Sequence, residues 1–251
     1  MMTKVKTEAE IANMRIGGKM LATVLQTLRQ QIKAGMTTKE VADLAATTLK
    51  ELGGKPAILG YQGFPDVICI SVNDDVVHGI PSDKVVLKNS DVVGLDFCVE
   101  YQGLITDAAT TVIVGGKADS KVEKLVRDTQ AALMTGLETL HDGVHVGDIG
   151  WAVESFLDKN GYGIVRDLVG HGVGHKMHED PNIPNYGRAG SGPVLRTGMT
   201  IAIEPMVTLG GDDVVIADDQ WTIQTRDGSL AAHFEHTVLI TKDGYEILTT
   251  I

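Results

Sequence analysis

DVVGLDFCVEYQGLITDAATTVIVGG, residues 91–116, places two runs rich in Val, Ile and Thr on either side of Tyr101-Gln102-Gly103. That pattern predicts an antiparallel hairpin. With Tyr101-Gln102 as a two-residue loop, Asp96 falls directly opposite Asp107, their Cβ atoms roughly 5 Å apart. Both lie in apolar surroundings, Val-Gly-Leu-Asp-Phe and Leu-Ile-Thr-Asp-Ala-Ala. Like charges paired in a strand are destabilising unless one is protonated or a cation bridges them. A divalent metal is one remedy. A register slipped by one, with both side chains wetted on an edge, is the other, and the hairpin alone does not choose between them.

The chain has 251 residues and 43% hydrophobic content, enough for one large domain or two halves sharing a core. No apolar run approaches the roughly 20 residues needed to span a bilayer. The opening MMTKVKTEAEIANM lacks the apolar stretch of a secretory signal. Cys69 and Cys98 are too few for a disulfide framework and fit a reducing cytosol, so a cytoplasmic location is expected. The formal charge of -11 argues against general nucleic-acid binding, DNA included. Residues 1–55 nevertheless carry nine Lys/Arg against five Asp/Glu, a balance of +4, so the remainder holds -15. Clustered acid neutralised by metal would account for part of that excess.

Thr7-Glu8-Ala9-Glu10 and Thr37-Thr38-Lys39-Glu40 fit capping boxes. The first opens an amphipathic helix marked by Ile11, Met14, Leu21, Leu25, Leu28 and Ile32, ending near Gly35. The second opens a helix through Val41, Leu44, Leu49 and Leu52 that Gly53-Gly54 stops. VICISVN is β-prone, and His78-Gly79-Ile80-Pro81 must be a loop. A third helix is expected from a box at Ser120–Glu123 to about Leu140, and a fourth from Asp148 as cap to Asn160-Gly161. Strand-like segments follow at IVRDLVG, Met199–Leu209 and Trp221–Leu239, with the Gly- and His-rich GHGVGHKMHEDPNIPNYG among them.

An offset of 108 residues sets Val41 on Ile149, Leu49 on Leu157, Gly53 on Gly161 and Asp96 on Glu204. The chain therefore reads as helix, helix, strands, twice over. Glu204 in the apolar Thr-Ile-Ala-Ile-Glu-Pro-Met and Glu235 in Ala-His-Phe-Glu-His-Thr-Val-Leu would meet the first pair across a pseudo-twofold axis. Four gathered carboxylates are balanced by two divalent cations, since one would leave two charges uncompensated at several kcal/mol. His171, in Val-Gly-His-Gly-Val-Gly-His, is the expected fifth ligand. Its spacing to His175 resembles helical zinc ligands, but the glycines and the missing Glu argue against a helical HExxH site. His141, His145, His233 and His236 have no placed partner, and packed or exposed roles are expected of them. Cys98, alternating with Asp96 on one strand face, would at most line the site.

VVHGIP, LDFCVEYQGLITDAA, GHGVGHKMHEDP, IAIEPM and FEHT together resemble the type I methionine aminopeptidases in their short bacterial form, across nearly the whole chain. The resemblance implies an α+β pita-bread fold. It has two αα-ββ halves, about 1–116 and 117–251, around a central antiparallel sheet with outer helices, forming a single catalytic domain over 1–251. It implies a monomeric hydrolase that removes the N-terminal methionine from nascent proteins and peptides. The ligands carry over as Asp96, Asp107, His171, Glu204 and Glu235, with Glu204 also moving a proton. His178 would bind the scissile carbonyl and its oxyanion, and His78 the substrate backbone or leaving nitrogen. Ile58, Tyr61, Phe64, Cys69, Met177 and Trp221 would line the methionine pocket; Met177 and Phe64 depart from the Phe and Tyr usual there. One imidazole among four carboxylates favours Mn²⁺, Fe²⁺ or Co²⁺, while Zn²⁺ remains compatible by the affinity order.

Two alternatives share these features. A related hydrolase cleaving before proline has the same ligands but usually an extra N-terminal domain, for which the first cap at Thr7 leaves no room. A ribosome-associated binding protein would use the basic first 55 residues, through Lys4, Lys6, Arg15 and Lys19, to face rRNA near the exit tunnel. No membrane partner is expected.

Overall fold

The computed structural model describes residues 4–251. Four helices lie on the outside: α1 Glu8–Gln31, α2 Thr38–Leu52, α3 Ser120–Leu137 and α4 Val146–Asp158. Fifteen strands are assigned among the described residues. Those of the first half are β1 Lys55–Pro56, β2 Cys69–Val72, β3 Asp75–Val77, β4 Val92–Tyr101 and β5 Leu104–Ile113. In the second half come β6 Gly163–Ile164, β7 Gly170–Gly172, β8 Glu179–Ile183, β9 Thr200–Ile203, β10 Met206–Thr208 and β11 Val214–Ile216. They are followed by β12 Ile223–Thr225, β13 Ala231–His233, β14 His236–Ile240 and β15 Tyr245–Ile247.

The boxes at Thr7 and Thr37 form as expected, each threonine accepting from the amide three residues on while the glutamate reaches back. The other two caps differ. Asp119, not Ser120, caps α3 through Lys121 N–H, because its carboxylate is already in the preceding position. Asp148 sits in the first turn of α4 and returns to the amide of His145, so the cap is one turn earlier than expected.

The hairpin register is also corrected. Asp96 pairs with Ala109, and Asp107 pairs with Cys98. The loop is Gln102-Gly103, with φ of 52° and 77°. Left-handed angles at both central positions make a type I′ turn, which matches strand twist and favours glycine second. Asp96 and Asp107 remain on one face as diagonal neighbours, and no register slip puts them on opposite sides.

Strand alternation then separates core from site. On β4, Val93, Leu95, Phe97 and Val99 pack against Leu21, Leu25 and Leu28 of α1 and Val41 and Ala45 of α2. Asp96 and Cys98 face the other way. In the second half Ile201, Ile203, Val238 and Ile240 pack against Leu133, Leu137 and Ile149. The β9–β14 register pairs Ile203 with His236, and continuing it by one residue past the strand ends sets Glu204 opposite Glu235. The halves are joined between these pairs: Ala109 and Glu235 exchange both backbone hydrogen bonds, at 3.0 and 3.3 Å. Thr237 Oγ1 receives the Asp107 amide and donates to the Asp107 carbonyl.

The basic N-terminal segment is less free than its composition suggests. Lys6 is buried and ion-paired with Glu179, and Arg15 grips Glu246 with two bonds of 2.7 Å. No helix among the described residues is long and apolar enough to cross a membrane.

Candidate metal centre

Asp96, Asp107, His171, Glu204 and Glu235 arrive from β4, β5, β7, the end of β9 and the approach to β14, and all line one cavity. Their ligand atoms form linked groups within 4.8 Å: Asp96, Cys98 and Asp107; Asp107, His171 and Glu235; Glu204, His233 and Glu235. Asp107 and Glu235 are the shared members.

Burial penalises the charged form of each acid. It pushes Asp107 up to about 7 and Glu204 up to about 8. Asp96 and Glu235 are raised well above the usual carboxylate range, first by burial and then by the charges of Asp107 and Glu204 beside each. Glu235 Oε1 is buried with no hydrogen-bond partner among the described residues. An oxygen-rich set of crowded carboxylates with an orphaned lone pair suits hard divalent cations, which would restore the missing charge and partner.

His171 is prepared as a neutral ligand. Burial lowers its pKa to about 4, and its Nδ1 lies 2.9 Å from the Gly172 carbonyl. That oxygen only accepts, so Nδ1 carries the proton and Nε2 keeps its lone pair, 3.6 Å from Glu204 Oε1.

His178 stands beside this group, its ring edge-to-face with His171 at 4.4 Å between centroids. Its Nδ1 meets the Tyr61 hydroxyl at 3.0 Å. His78 occupies the loop after β3 with φ 60°, burial lowers its pKa to about 4, and its ring lies edge-on to Trp221. The next residue explains the sharp path: a Cβ on Gly79 would come within 2.2 Å of the Ile70 carbonyl oxygen.

Ile58, Phe64, Cys69, Cys98 and Met177 form one buried apolar cluster, with Tyr61 and Trp221 packed against it. Ile58, Cys69, Cys98 and Met177 reach the cavity wall together with His78 and His178. Phe64 is fully covered and meets Trp221 edge-to-face at 5.1 Å, so it supports the wall from behind.

The model of metallopeptidase family M24 matches residues 12–242. The chain belongs to metallopeptidase family M24. Among relatives of this M24 member is the methionine aminopeptidase of Clostridium perfringens, 43% identical over 246 residues covering 98% of both chains. The crystal structure of the methionine aminopeptidase from Thermotoga maritima superimposes with a TM-score of 0.98 at 46% identity, covering 100% of both chains. The prolidase from Pyrococcus furiosus shares the fold alone, with a TM-score of 0.78, 24% identity and coverage of 98% of this chain and 65% of the prolidase. The architecture is thus the pita-bread fold of the M24 peptidases.

Two side chains of this M24 site were undervalued by sequence. Cys98, directly opposite Asp107, donates its S–H to Asp107 Oδ1 at 2.9 Å, and burial raises its thiol pKa well above the usual range. His233 is packed, one of the two roles expected of it, and it lies beside Glu204. It is 3% exposed, with Nε2 3.5 Å from Glu204 Oε2. Its signal was the alternation that places residue 233 two before Glu235. The other four histidines have partners outside the site: His236 meets Thr249 Oγ1, His145 the Gly192 carbonyl, His141 the Asp142 carbonyl, and His175 Glu10 Oε1.

Proposed function

We propose that this chain hydrolyses the peptide bond after an N-terminal methionine with two divalent cations held by Asp96, Asp107, His171, Glu204 and Glu235. The observation that carries this is the meeting of four carboxylates, Asp107 and Glu235 buried and Asp96 and Glu204 half-buried, with one neutral imidazole beside an apolar, sulfur-lined wall. Four negative charges call for two cations, and the hard donor set favours Mn²⁺, Fe²⁺ or Co²⁺, with Zn²⁺ compatible. When bound, such ions supply Lewis acidity, making water a nucleophile near neutral pH and polarising the scissile carbonyl.

The side chains do the rest. Glu204 takes the proton of the attacking water and passes it to the leaving amine. Tyr61 O–H donates to His178 Nδ1, which leaves Nε2–H to donate to the scissile carbonyl as charge develops on oxygen. His78, neutral at physiological pH, binds the substrate backbone or the leaving nitrogen. Ile58, Cys69 and Met177 receive the thioether by dispersion, backed by Phe64, Tyr61 and Trp221. Because ligands come from both halves, about 1–116 and 117–251, residues 1–251 act as a single catalytic domain. Two free, buried thiols suit a reducing cytosol. Docking beside a nascent chain on the ribosome would fall to Lys4 and Lys19, since Lys6 and Arg15 hold internal ion pairs. Unchanged ribosome co-sedimentation after charge reversal at those two lysines removes that part.

The deciding assay is methionine release from Met-Ala-Ser with and without chelator. Asp96→Asn is expected to lose bound metal. His178→Ala is expected to keep metal and lose about 100-fold in kcat. Equal metal loss in both variants overturns these roles.

A further inference from the structure

His233 has no assigned role in the proposed chemistry, yet its ring points into the centre. Its backbone is fixed by Thr111, whose Oγ1 accepts the His233 amide at 2.9 Å and donates to the His233 carbonyl at 2.7 Å. The same residue pairs with Met206 across β10 and β13. The backbone that carries the ring is therefore held from two sides, and Nε2 is buried with no hydrogen-bond partner among the described residues.

Glu204 lies between two imidazoles. Oε1 faces His171 Nε2 at 3.6 Å, and Oε2 faces His233 Nε2 at 3.5 Å. These nitrogens are not equivalent. His171 has committed its proton to the Gly172 carbonyl through Nδ1, so its Nε2 offers a lone pair and cannot donate. An ionised carboxylate only accepts. Of the two rings, only His233 can supply Glu204 with a hydrogen bond. The gap is a few tenths of an ångström beyond a formed N–H···O bond, within reach of a small side-chain rotation.

We propose that His233 is a positioning residue whose Nε2–H holds Glu204 Oε2, keeping Oε1 turned toward His171 and the cations. It acts through Glu204 and touches neither metal nor substrate. The proposal rests on the role given to Glu204 above. It adds one buried donor to the proton-carrying carboxylate, as outer partners commonly orient the ligands of metal sites.

The test compares His233→Gln with His233→Leu. Both fill the site, but only the amide can donate. In metal-saturated enzyme, His233→Leu is expected to lose about 10- to 100-fold in kcat with KM within about twofold, and His233→Gln to stay within about threefold of the parent. Both should retain the parent metal stoichiometry by elemental analysis and a parent-like melting temperature. Equal loss in both variants overturns the proposal, and so does full activity in both. A crystal structure of the loaded parent gives an answer independent of rate and of variant folding. Nε2 within hydrogen-bond distance of Glu204 supports positioning, whereas Nε2 about 2.1 Å from a cation makes His233 a ligand and overturns it. Metal-dependent release by the parent is scored separately. Its absence would remove the proposed function itself, while its presence with unresponsive His233 variants removes only this inference.

Discussion

Removing the charge of Glu204 should stabilise the metal-free protein, although the same change should damage the loaded enzyme. Burial raises the Glu204 pKa from 4.5 to about 8. The unfolded chain therefore releases this proton near pH 4.5 while the folded chain keeps it to about pH 8. For a raised acid, the stability present below the unfolded pKa is lost as pH rises through the folded one. Above pH 8 the full shift of about 3.5 units opposes folding, and at 1.36 kcal/mol per unit that is about 5 kcal/mol. Glu204→Gln cannot ionise and escapes the penalty. In excess chelator the variant should gain about 1 kcal/mol at pH 5 and about 5 kcal/mol at pH 9. At 2–4 °C per kcal/mol for a chain of this size, the pH 9 gain is about 10–20 °C in Tm. Comparing both proteins at each pH cancels the histidines, whose lowered values act equally in each. Thermal unfolding with chelator, repeated with Mn²⁺, is the assay. Metal should reverse the order, because the parent binds it more tightly and gains more by mass action. A variant no more stable than the parent at pH 9 in chelator would show that these carboxylates are not jointly desolvated, and the charge argument for the cations would fall with it.

Three further substitutions probe the surroundings. Tyr61→Phe removes the hydroxyl at 3.0 Å from His178 Nδ1 and should lower kcat about 5- to 10-fold at unchanged metal content; a change confined to KM would make Tyr61 a pocket wall only. Gly79→Ala drives a methyl into the Ile70 carbonyl, and calorimetry should find the variant destabilised by about 2–3 kcal/mol. Cys98→Val keeps the volume but removes the S–H that Asp107 accepts, and titration calorimetry should show metal affinity down about tenfold, an unchanged Kd counting against the contact.

Local signals carried much of the outcome. The Thr7 and Thr37 boxes lie within four residues each, so sequence could read them. The apolar steps that face α1 and α2 inward needed only helical periodicity. The hairpin loop was partly legible, since Gly103 suits the second position of a type I′ turn, although Gln102 is not a residue that turn favours first. A Tyr101-Gln102 loop would set Asp107 opposite Asp96, whereas the observed loop sets it opposite Cys98.

By itself the sequence determined which residues are acidic within apolar strands, which strand face each occupies, and that the pattern occurs twice. It could not determine that Ala109 and Glu235 would share backbone bonds, that His233 would aim at Glu204, or that Lys6 would be buried against Glu179. Alternation along a strand follows from backbone geometry within a few residues. Approach between segments more than a hundred residues apart depends on sheet twist and helix packing across the whole chain, and only the tertiary structure fixes those.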